Sequence, residues 1–316
     1  HPVKISMYTL RKSAQSAHEE AIWAVKWVQF DGKEEALATG SLDETVKIWN
    51  DSGDNLVSTQ TLYGHALAVI GLDSKVVDGG VSLLASTSMD GFIRIFNVER
   101  GGVIRLMDAG SSEIWTPSLH PFSDLVASGG STGCISVWNT LTGESVQQID
   151  THSRSFIFSV KYSPDGKYIA IACSNGFPKI YDAKTGKELK QLQSHSKAVR
   201  SLDFTPDSKN LITCSEDMHI NVYDVVSGQI VDSITGHNSW VVDVCFSPAF
   251  GPLEFASCSS DKTVKIWDWR NRSTPLRVFT SHTDQVWSIS YNSTGKKLAS
   301  VGDDCVLNVY DTLHGS

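Results

Sequence analysis

A segment repeated seven times limits what this chain can fold into. Each copy ends in an aromatic residue followed by Asn or Asp, and successive aromatic residues lie 42 to 47 positions apart. Apolar and polar residues alternate within the copies, as in a half-buried β-strand, and a turn containing Asp, Asn or Gly precedes the strand. A repeat of this length predicts similar structural units that pack on their neighbours. The copies are SLDETVKIWN (41–50), SMDGFIRIFN (88–97), GSTGCISVWN (130–139), CSNGFPKIYD (173–182), SEDMHINVYD (215–224), SSDKTVKIWD (259–268) and GDDCVLNVYD (302–311).

The composition describes a globular protein with enough apolar material for a large core. Of the 316 residues 41% are hydrophobic and 20% are charged, and no apolar run approaches the roughly 20 residues of a membrane-spanning helix. The formal net charge of −8 argues against the positive surface that nucleic-acid binding requires. The first residues, HPVKISMYTLRKSAQ, lack the apolar stretch of a secretory signal. We therefore expect no membrane insertion, no export and no direct contact with nucleic acid.

The six cysteines show no spacing typical of a metal site. They form no CxxC pair, and most lie in apolar, strand-like runs, which favours reduced thiols in an intracellular protein. The sequence also lacks a Gly-x-Ser-x-Gly turn, a His-Glu-x-x-His helix and a phosphate-binding glycine loop. We expect no metal, no cofactor and no catalytic residue. The cysteines are Cys134, Cys173, Cys214, Cys245, Cys258 and Cys305.

A histidine upstream of five copies connects the repeat to a known family. It occurs in pieces such as YGH, QSH and TGH, and another strand-like run, for example AVRSLDF or WVVDVCF, follows it. With Gly-His early, Trp-Asp late and a period of about 40–45 residues, the sequence resembles the WD-repeat β-propeller family over essentially its whole length. The resemblance implies an all-β fold in which seven four-stranded blades close into one ring. We expect a single domain over 1–316, with the first six blades at 18–62, 65–106, 110–149, 152–192, 195–234 and 237–279.

Both ends of the chain contribute to the expected closure of the ring. After Asp311 only five residues remain, whereas every other repeat continues into a further strand. The segment VKISMYTL (3–10) is strand-like and precedes the first histidine-containing repeat. We therefore expect residues 3–10 to be the outer strand of blade seven, beside the inner three strands in 282–311. A ring closed in this way is expected to be a monomer by itself.

Histidine, hydroxyl and aspartate residues recur in the repeats and have two interpretations. They resemble the residue types of a hydrolase triad, but a group that recurs at one blade's spacing is more simply structural than catalytic. The family resemblance implies a buried hydrogen-bond chain that locks each blade and ends on the strand Trp. Five repeats keep the His, Ser/Thr and Asp, and in three of these Phe or Tyr replaces the Trp. The complete sets are His18, Thr39, Asp43 and Trp49 in blade one, and His237, Ser257, Asp261 and Trp267 in blade six.

The resemblance further implies that the third and fifth residues after each histidine position, which Gly110 occupies in blade three, point towards the top entrance of the central channel. Blade four is counted with a one-residue insertion after His152. These side chains either fill contacts between blades or, taken together, form an aromatic binding patch. Acidic neighbours, Glu216 and Asp303, would suit a bound peptide with an apolar anchor and an arginine. The expected rim residues are Trp23, Trp115, Phe156, Phe158, Arg200, Trp240 and Trp287.

Longer strings narrow the resemblance to the WD-repeat subunits of superkiller (Ski) complexes. They are HEEAIWAVKW (18–27), GSLDETVKIW (40–49), DAGSSEIWT (108–116), FSVKYSPDGKYIA (158–170) and HTDQVWSISYNSTGKKLASVGDD (282–304).

The Ski resemblance implies a non-catalytic scaffold in cytoplasm and nucleus. Its expected partners are the tetratricopeptide-repeat and helicase subunits that feed mRNA to the 3′–5′ exosome, and subunits of the polymerase-associated factor complex. Two alternatives stay open: a WD-repeat subunit of a chromatin-modifying or ubiquitin-ligase complex, and an enzyme with a site at the channel mouth.

Overall fold

The described part of the chain consists of β-strands and the turns between them. The computed structural model describes residues 7–30, 34–77, 80, 82–110, 113–193, 195–249, 254–271 and 274–313. Their 28 strands form seven antiparallel sheets of four strands each. None of these residues belongs to a helix that is long and apolar enough to cross a membrane. The expected all-β fold with seven blades is confirmed.

The strands follow the chain in order around the ring, starting with β1 (Met7–Ala14). Blades one to three contain β2 (Ile22–Phe30), β3 (Glu34–Ser41), β4 (Val46–Asn50), β5 (Val57–Leu62), then β6 (Val69–Val76), β7 (Ser82–Ser88), β8 (Phe92–Asn97), β9 (Gly102–Asp108), then β10 (Ile114–Leu119), β11 (Leu125–Gly130), β12 (Cys134–Asn139) and β13 (Ser145–Asp150). Blades four to seven contain β14 (Ile157–Tyr162), β15 (Tyr168–Cys173), β16 (Lys179–Asp182), β17 (Glu188–Gln191), then β18 (Val199–Phe204), β19 (Asn210–Ser215), β20 (His219–Asp224), β21 (Ile230–Thr235), then β22 (Val241–Phe246), β23 (Glu254–Ser259), β24 (Val264–Asp268), β25 (Arg277–Phe279), and β26 (Val286–Tyr291), β27 (Lys297–Gly302) and β28 (Leu307–Leu313).

The ring is closed by pairing of the two ends of the described chain. β1 is antiparallel to β28 and completes the sheet β1-β28-β27-β26, with Met7 opposite Leu313 and Ala14 opposite Leu307. The first strands of successive blades contact one another, and β2 contacts β26, so the innermost strands surround a central channel. The expected closure by the N-terminal strand is therefore confirmed. The strand extends further than expected, to Ala14, and residues 3–6 of the expected strand lie outside the described residues.

The core is divided into layers that lie between neighbouring blades. One layer joins Ile48 of blade one to Leu84 of blade two, and another joins Leu37 of blade one to Val309 of blade seven. The sheet of each blade covers its two apolar faces only by packing on both neighbouring blades, because the two faces belong to different layers. The blades therefore depend on one another for stability.

A buried ion cluster reinforces the seam between blades seven and one. Asp51 accepts hydrogen bonds from Lys12 Nζ at 2.6 Å and from Lys297 Nζ at 2.7 Å, and its side chain is 1% exposed. Burial opposes ionisation of Asp51, but the two ammonium groups outweigh it and hold the pKa of this carboxyl below its usual value. Because Lys12 lies on β1 and Lys297 on β27, the carboxylate ties both to blade one.

Pro178 falls at the start of a strand, where its missing N–H is tolerated. β16 begins at Lys179, and the carbonyl of Pro178 accepts a hydrogen bond from Leu192 N at 2.9 Å. A proline inside the strand would remove a ladder hydrogen bond. Blade four consequently has the shortest third strand, with four residues, but keeps the four-stranded order of the other blades.

Candidate functional site at the top of the ring

A β-bulge near the start of every inner strand directs one side chain to the mouth of the central channel. In blade one the register between β2 and β3 shifts between Ile22 and Ala24, which leaves Trp23 as the extra residue. Bulges bend a strand and re-aim a side chain, and these side chains line a cavity of about 280 Å³. We call this end of the ring, where each inner strand begins, the top face. The bulge residues are Trp23, Ile70, Trp115, Phe158, Arg200, Val242 and Trp287.

Five aromatic rings from blades one, three, four and seven contact one another at this mouth. The ring centroids of Trp23 and Trp287 are 4.5 Å apart, and those of Trp23 and Trp115 are 6.3 Å apart. Trp115 packs edge-on against Phe156 and Phe158, at 5.7 and 5.1 Å. All five side chains are half-buried, so part of each ring faces solvent. With Arg200 and Trp240 they form what we call the rim cluster.

Arg200 continues the rim cluster into blades five and six. Its guanidinium carbon lies 4.4 Å from the ring centroid of Phe158 and 5.7 Å from that of Trp240, within the range of cation–π contacts. Arg200 Nε also donates a 2.7 Å hydrogen bond to Glu216. Trp240 is the most open member, with 42% of its surface exposed. Glu216 is therefore already paired with Arg200. The sequence interpretation, in which Glu216 pairs with a bound partner, did not anticipate this contact.

Asp303 holds two of the indoles in place. One of its carboxylate oxygens accepts hydrogen bonds from Trp287 Nε1 at 2.7 Å and from Trp23 Nε1 at 3.3 Å. Because one donor comes from blade seven and the other from blade one, the carboxylate links the rim cluster across the seam of the ring. Asp303 thus orients the aromatic rings as well as contributing its charge to the top face.

Sequence reasoning missed the glycine that brings blades two and three close together. The rim position of this blade is Ile70, and a Cβ on the adjacent Gly71 would lie 2.7 Å from Pro117 Cδ and 2.8 Å from Thr116 Cα. Glycine is required at this close approach of two backbones. Blades two and three therefore come together closely, and Trp23 reaches Trp115 past Ile70.

A layer of charged side chains below the rim was also missed. Lys26 Nζ lies 2.8 Å from Asp73, which also accepts a hydrogen bond from Leu119 N of blade three at 2.8 Å. Burial opposes ionisation of Asp73, but Lys26 and Lys161 outweigh it and lower its pKa. Each inner strand places one residue at this depth, three positions after its rim residue, and that spacing is the signal that could have found the layer.

Two further carboxylates join blades five, six and seven: Asp203 of this layer, and Asp243, which directly follows the rim residue Val242. Asp203 accepts a hydrogen bond from Phe246 N at 2.9 Å, and Asp243 accepts one from Ile289 N at 3.0 Å and one from Ser201 Oγ at 2.7 Å. Burial raises the pKa of both carboxyl groups. Each carboxylate accepts an N–H from the next blade, so the layer below the rim cluster helps to fix the relative positions of the blades.

The complete His-Ser-Asp-Trp set of blade six forms a continuous hydrogen-bond chain. His237 Nδ1 is 2.9 Å from Asp261, His237 Nε2 is 2.7 Å from Ser257 Oγ, and Trp267 Nε1 donates to the same hydroxyl at 2.8 Å. The donors and acceptors match if neutral His237 donates through Nδ1 and accepts from Ser257 through Nε2. The set of blade one has the same geometry, at 2.8 Å (His18–Asp43), 2.7 Å (His18–Thr39) and 2.8 Å (Trp49–Thr39).

Burial closes these hydroxyl groups to substrates. Ser257 and Thr39 are 0% exposed, and each hydroxyl oxygen already accepts an indole N–H. A nucleophile needs access to the atom it attacks. Among the described residues, moreover, no group of three or more His, Cys, Asp or Glu side chains is arranged to hold a metal ion.

Blade two has a shorter chain, and a cation joins it at the aspartate end. His65 is 3.0 Å from Asp90 and 2.7 Å from Ser86 Oγ, whereas Phe96 has no N–H to donate. Arg94 NH1 donates to Asp90 at 2.8 Å. The sequence pattern did not identify Arg94, because this position is variable among the repeats.

We expect Ser257→Ala to destabilise the protein, because it leaves buried His237 Nε2 and Trp267 Nε1 without partners. Each unpaired buried group costs about 1–3 kcal/mol in the free energy of unfolding. Urea unfolding measures the difference. Ser227→Ala, at an exposed turn of blade five, is the control and should change stability by less than about 0.5 kcal/mol. Equal unfolding midpoints for the two variants would contradict the assignment.

We expect the protein to lose stability as the pH falls from about 7 to 5. Burial lowers the pKa of His18, His65 and His237 below the usual 6.5. The unfolded chain therefore binds protons first, and stability falls as the pH drops below the unfolded pKa. Urea unfolding midpoints measured across this range give the slope of stability against pH. His237→Asn should make this slope shallower. Stability that rises on acidification to pH about 5 would overturn the prediction.

Comparison with known families agrees with this architecture. The family model described as the nucleolar protein 10-like N-terminal domain, a β-propeller, matches residues 58–263, about two thirds of the chain. The model of the WD domain, G-beta repeat, matches residues 9–50 and 273–311. The chain belongs to the WD-repeat β-propeller family. WD-repeat propellers are generally scaffolds for protein interactions.

Three curated relatives of this WD-repeat propeller cover parts of the chain. WD repeat-containing protein VIP3 of Arabidopsis thaliana is 36% identical over 50% of this chain and 52% of its own length. WD repeat-containing protein SL1-17 of Schistosoma mansoni is 32% identical over 52% of this chain and 54% of its own. Superkiller complex protein 8 of Dictyostelium discoideum is 30% identical over 33% of this chain and 32% of its own. The matches thus span about half of the first two relatives and about a third of the last.

Proposed function

We propose that this propeller is a non-catalytic scaffold that binds short segments of partner proteins at its rim cluster. The observation that carries the proposal is the set of mutually packed, half-exposed aromatic side chains on one face of a rigid ring. Trp and Arg are enriched among the residues that contribute most to binding at interfaces. Asp303 and Glu216 hold these side chains in place, so little conformational freedom is lost when a partner binds.

The proposed partners are the tetratricopeptide-repeat and helicase subunits of a Ski-like complex. The likeness to Superkiller complex protein 8 and the sequence strings described above support this assignment. The same resemblance suggests polymerase-associated factor subunits as further partners, with the protein in both cytoplasm and nucleus. The acidic residues on the top face of blades seven and one suit a basic side chain of the bound segment.

Affinity purification of the tagged chain from cells, followed by mass spectrometry, tests the proposal. Recovery of helicase and tetratricopeptide-repeat subunits is the expected result. Recovery of methyltransferase or cullin subunits instead would assign the chain to a chromatin-modifying or ubiquitin-ligase complex. Imaging of the tagged protein tests the localisation, and its exclusion from either the cytoplasm or the nucleus would contradict that part.

A further inference from the structure

Exposed carboxylates are grouped on one side of the rim cluster. The loops before β2 and β26 and the turn before β4 carry four exposed carboxylates: Glu19, Glu20, Glu44 and Asp284. Among the described residues, their only ion pair joins Asp284 to Lys262 at 3.7 Å. These carboxylates, with Asp303, make the side of blades seven and one acidic.

The opposite side of the rim cluster carries two exposed cations beside the exposed carboxylates Glu113 and Asp150. Arg154 lies in the loop before β14, and Lys197 lies in the loop before β18. A Cβ on Gly133 of blade three would be 3.0 Å from Arg154 Cα, and a Cβ on Gly176 of blade four would be 2.9 Å from the Lys197 carbonyl. These contacts place the two cations over successive seams, between blades three and four and between blades four and five.

Arg154 has no counter-ion within the described part of the chain. No described carboxylate lies within 4.0 Å of its guanidinium, although the neighbouring blade carries the exposed Glu113. Its φ of 47° is in the left-handed region, as is the φ of 57° at His152, and residues other than glycine seldom adopt this region. The loop that presents Arg154 contains the one-residue insertion of blade four, and Phe156 of the rim cluster follows two residues later.

We propose that the segment bound at the rim cluster carries a carboxylate side chain that pairs with Arg154, with Lys197 beside it. The inference rests on the proposed function, because it assumes that the rim cluster binds the apolar part of that segment. A guanidinium and a carboxylate form strong charge-assisted hydrogen bonds. Like charges repel, so the acidic side of blades seven and one disfavours the reverse placement. The bound segment therefore has a fixed direction across the top face.

A phage-displayed library of random short peptides tests the inference without knowledge of the natural partner. Selection is carried out on the wild type, Arg154→Glu, Trp115→Ala and Lys184→Glu. The last variant is the control, because it makes the same charge change at an exposed turn at the opposite end of blade four. We expect the peptides selected on the wild type to contain an apolar anchor residue and an Asp or Glu at a constant spacing from it. Arg154→Glu should bind these peptides about tenfold more weakly, whereas Lys184→Glu should bind them normally.

The outcomes separate this inference from the proposed function. If the selected peptides bind Trp115→Ala as well as the wild type, the rim cluster is not the site and the proposed function fails. If binding requires Trp115 but the peptides lack an acidic residue, or Arg154→Glu binds them undiminished, only the assignment to Arg154 fails. A lysine substituted for the acidic residue of a selected peptide should restore binding to Arg154→Glu. If the charge reversal in Arg154→Glu impairs folding, Arg154→Gln is compared with the wild type for binding of the selected peptides instead.

Discussion

Deletion of residues 1–14 is expected to abolish stable folding at 37 °C or to leave a protein that aggregates. The deletion removes β1 and leaves β28 as a long, unpaired edge strand, which favours aggregation. It also removes buried Tyr8, whose hydroxyl donates to Glu254 of blade six, and buried Lys12. Loss of a large core side chain costs about 3–5 kcal/mol, and loss of the hydrogen bond from Lys12 to buried Asp51, which keeps Lys297, about 1.5–3 kcal/mol. Together they approach the whole stability of a typical domain, about 5–15 kcal/mol.

Two single substitutions in β1 provide graded versions of this experiment. Lys12 is 5% exposed and pairs with Asp51 at 2.6 Å, whereas its neighbour Arg11 is 33% exposed, pairs with Asp311 at 3.2 Å and lies 3.9 Å from Asp51. Lys12→Met should lower the free energy of unfolding by about 1.5–3 kcal/mol, because Lys297 still pairs with Asp51, and Arg11→Met by less than about 1 kcal/mol. Soluble yield and thermal melting monitored by circular dichroism provide the readouts. A truncated protein that melts like the intact one would refute the role of β1 in closing the ring.

Trp115→Ala is expected to weaken binding of the partner segment by about 30-fold or more. Trp115 contacts three rings of the rim cluster, so its removal takes away contact area and leaves Trp23, Phe156 and Phe158 less well supported. Truncation of a central interface residue of this kind costs about 2–4 kcal/mol in binding free energy. Isothermal titration of the segment recovered by co-purification measures the effect directly.

The control for this substitution is an exposed aromatic residue on the other end of the ring. Phe122 is 75% exposed and lies in the turn after β10, whereas Trp115 lies at the start of β10. Phe122→Ala should leave the affinity unchanged, and both variants should melt close to the wild type. Equal affinities of Trp115→Ala and the wild type for the segment would show that it binds elsewhere on the propeller.

Most of the fold and part of the site can be predicted from the sequence. The seven repeats determine the number of blades, and the strand-like segment before the first histidine predicts the closure, because every sheet needs a fourth strand. The spacing from each histidine position, occupied by Gly110 in blade three, also leads to Trp23, Trp115 and Trp287, and Trp23 contacts the other two in the structure. Whether a partner binds these residues stays a prediction.

Only the tertiary structure decides which residues of different blades meet. Arg200 of blade five contacts the Phe158 ring of blade four, Asp303 of blade seven accepts a hydrogen bond from Trp23 of blade one, and Asp73 of blade two accepts one from Leu119 of blade three, so side chains that the repeat pattern shows as free charges are already engaged.

Repeat spacing specifies contacts within one blade, since these follow the strand register. Contacts across the channel and across the seam depend on the curvature of the ring and on the bulge in each inner strand, neither of which a one-dimensional pattern encodes. The sequence by itself therefore determined the ring and its closure, and the tertiary structure determined which charges on its top face are paired and which, such as that of Arg154, face solvent.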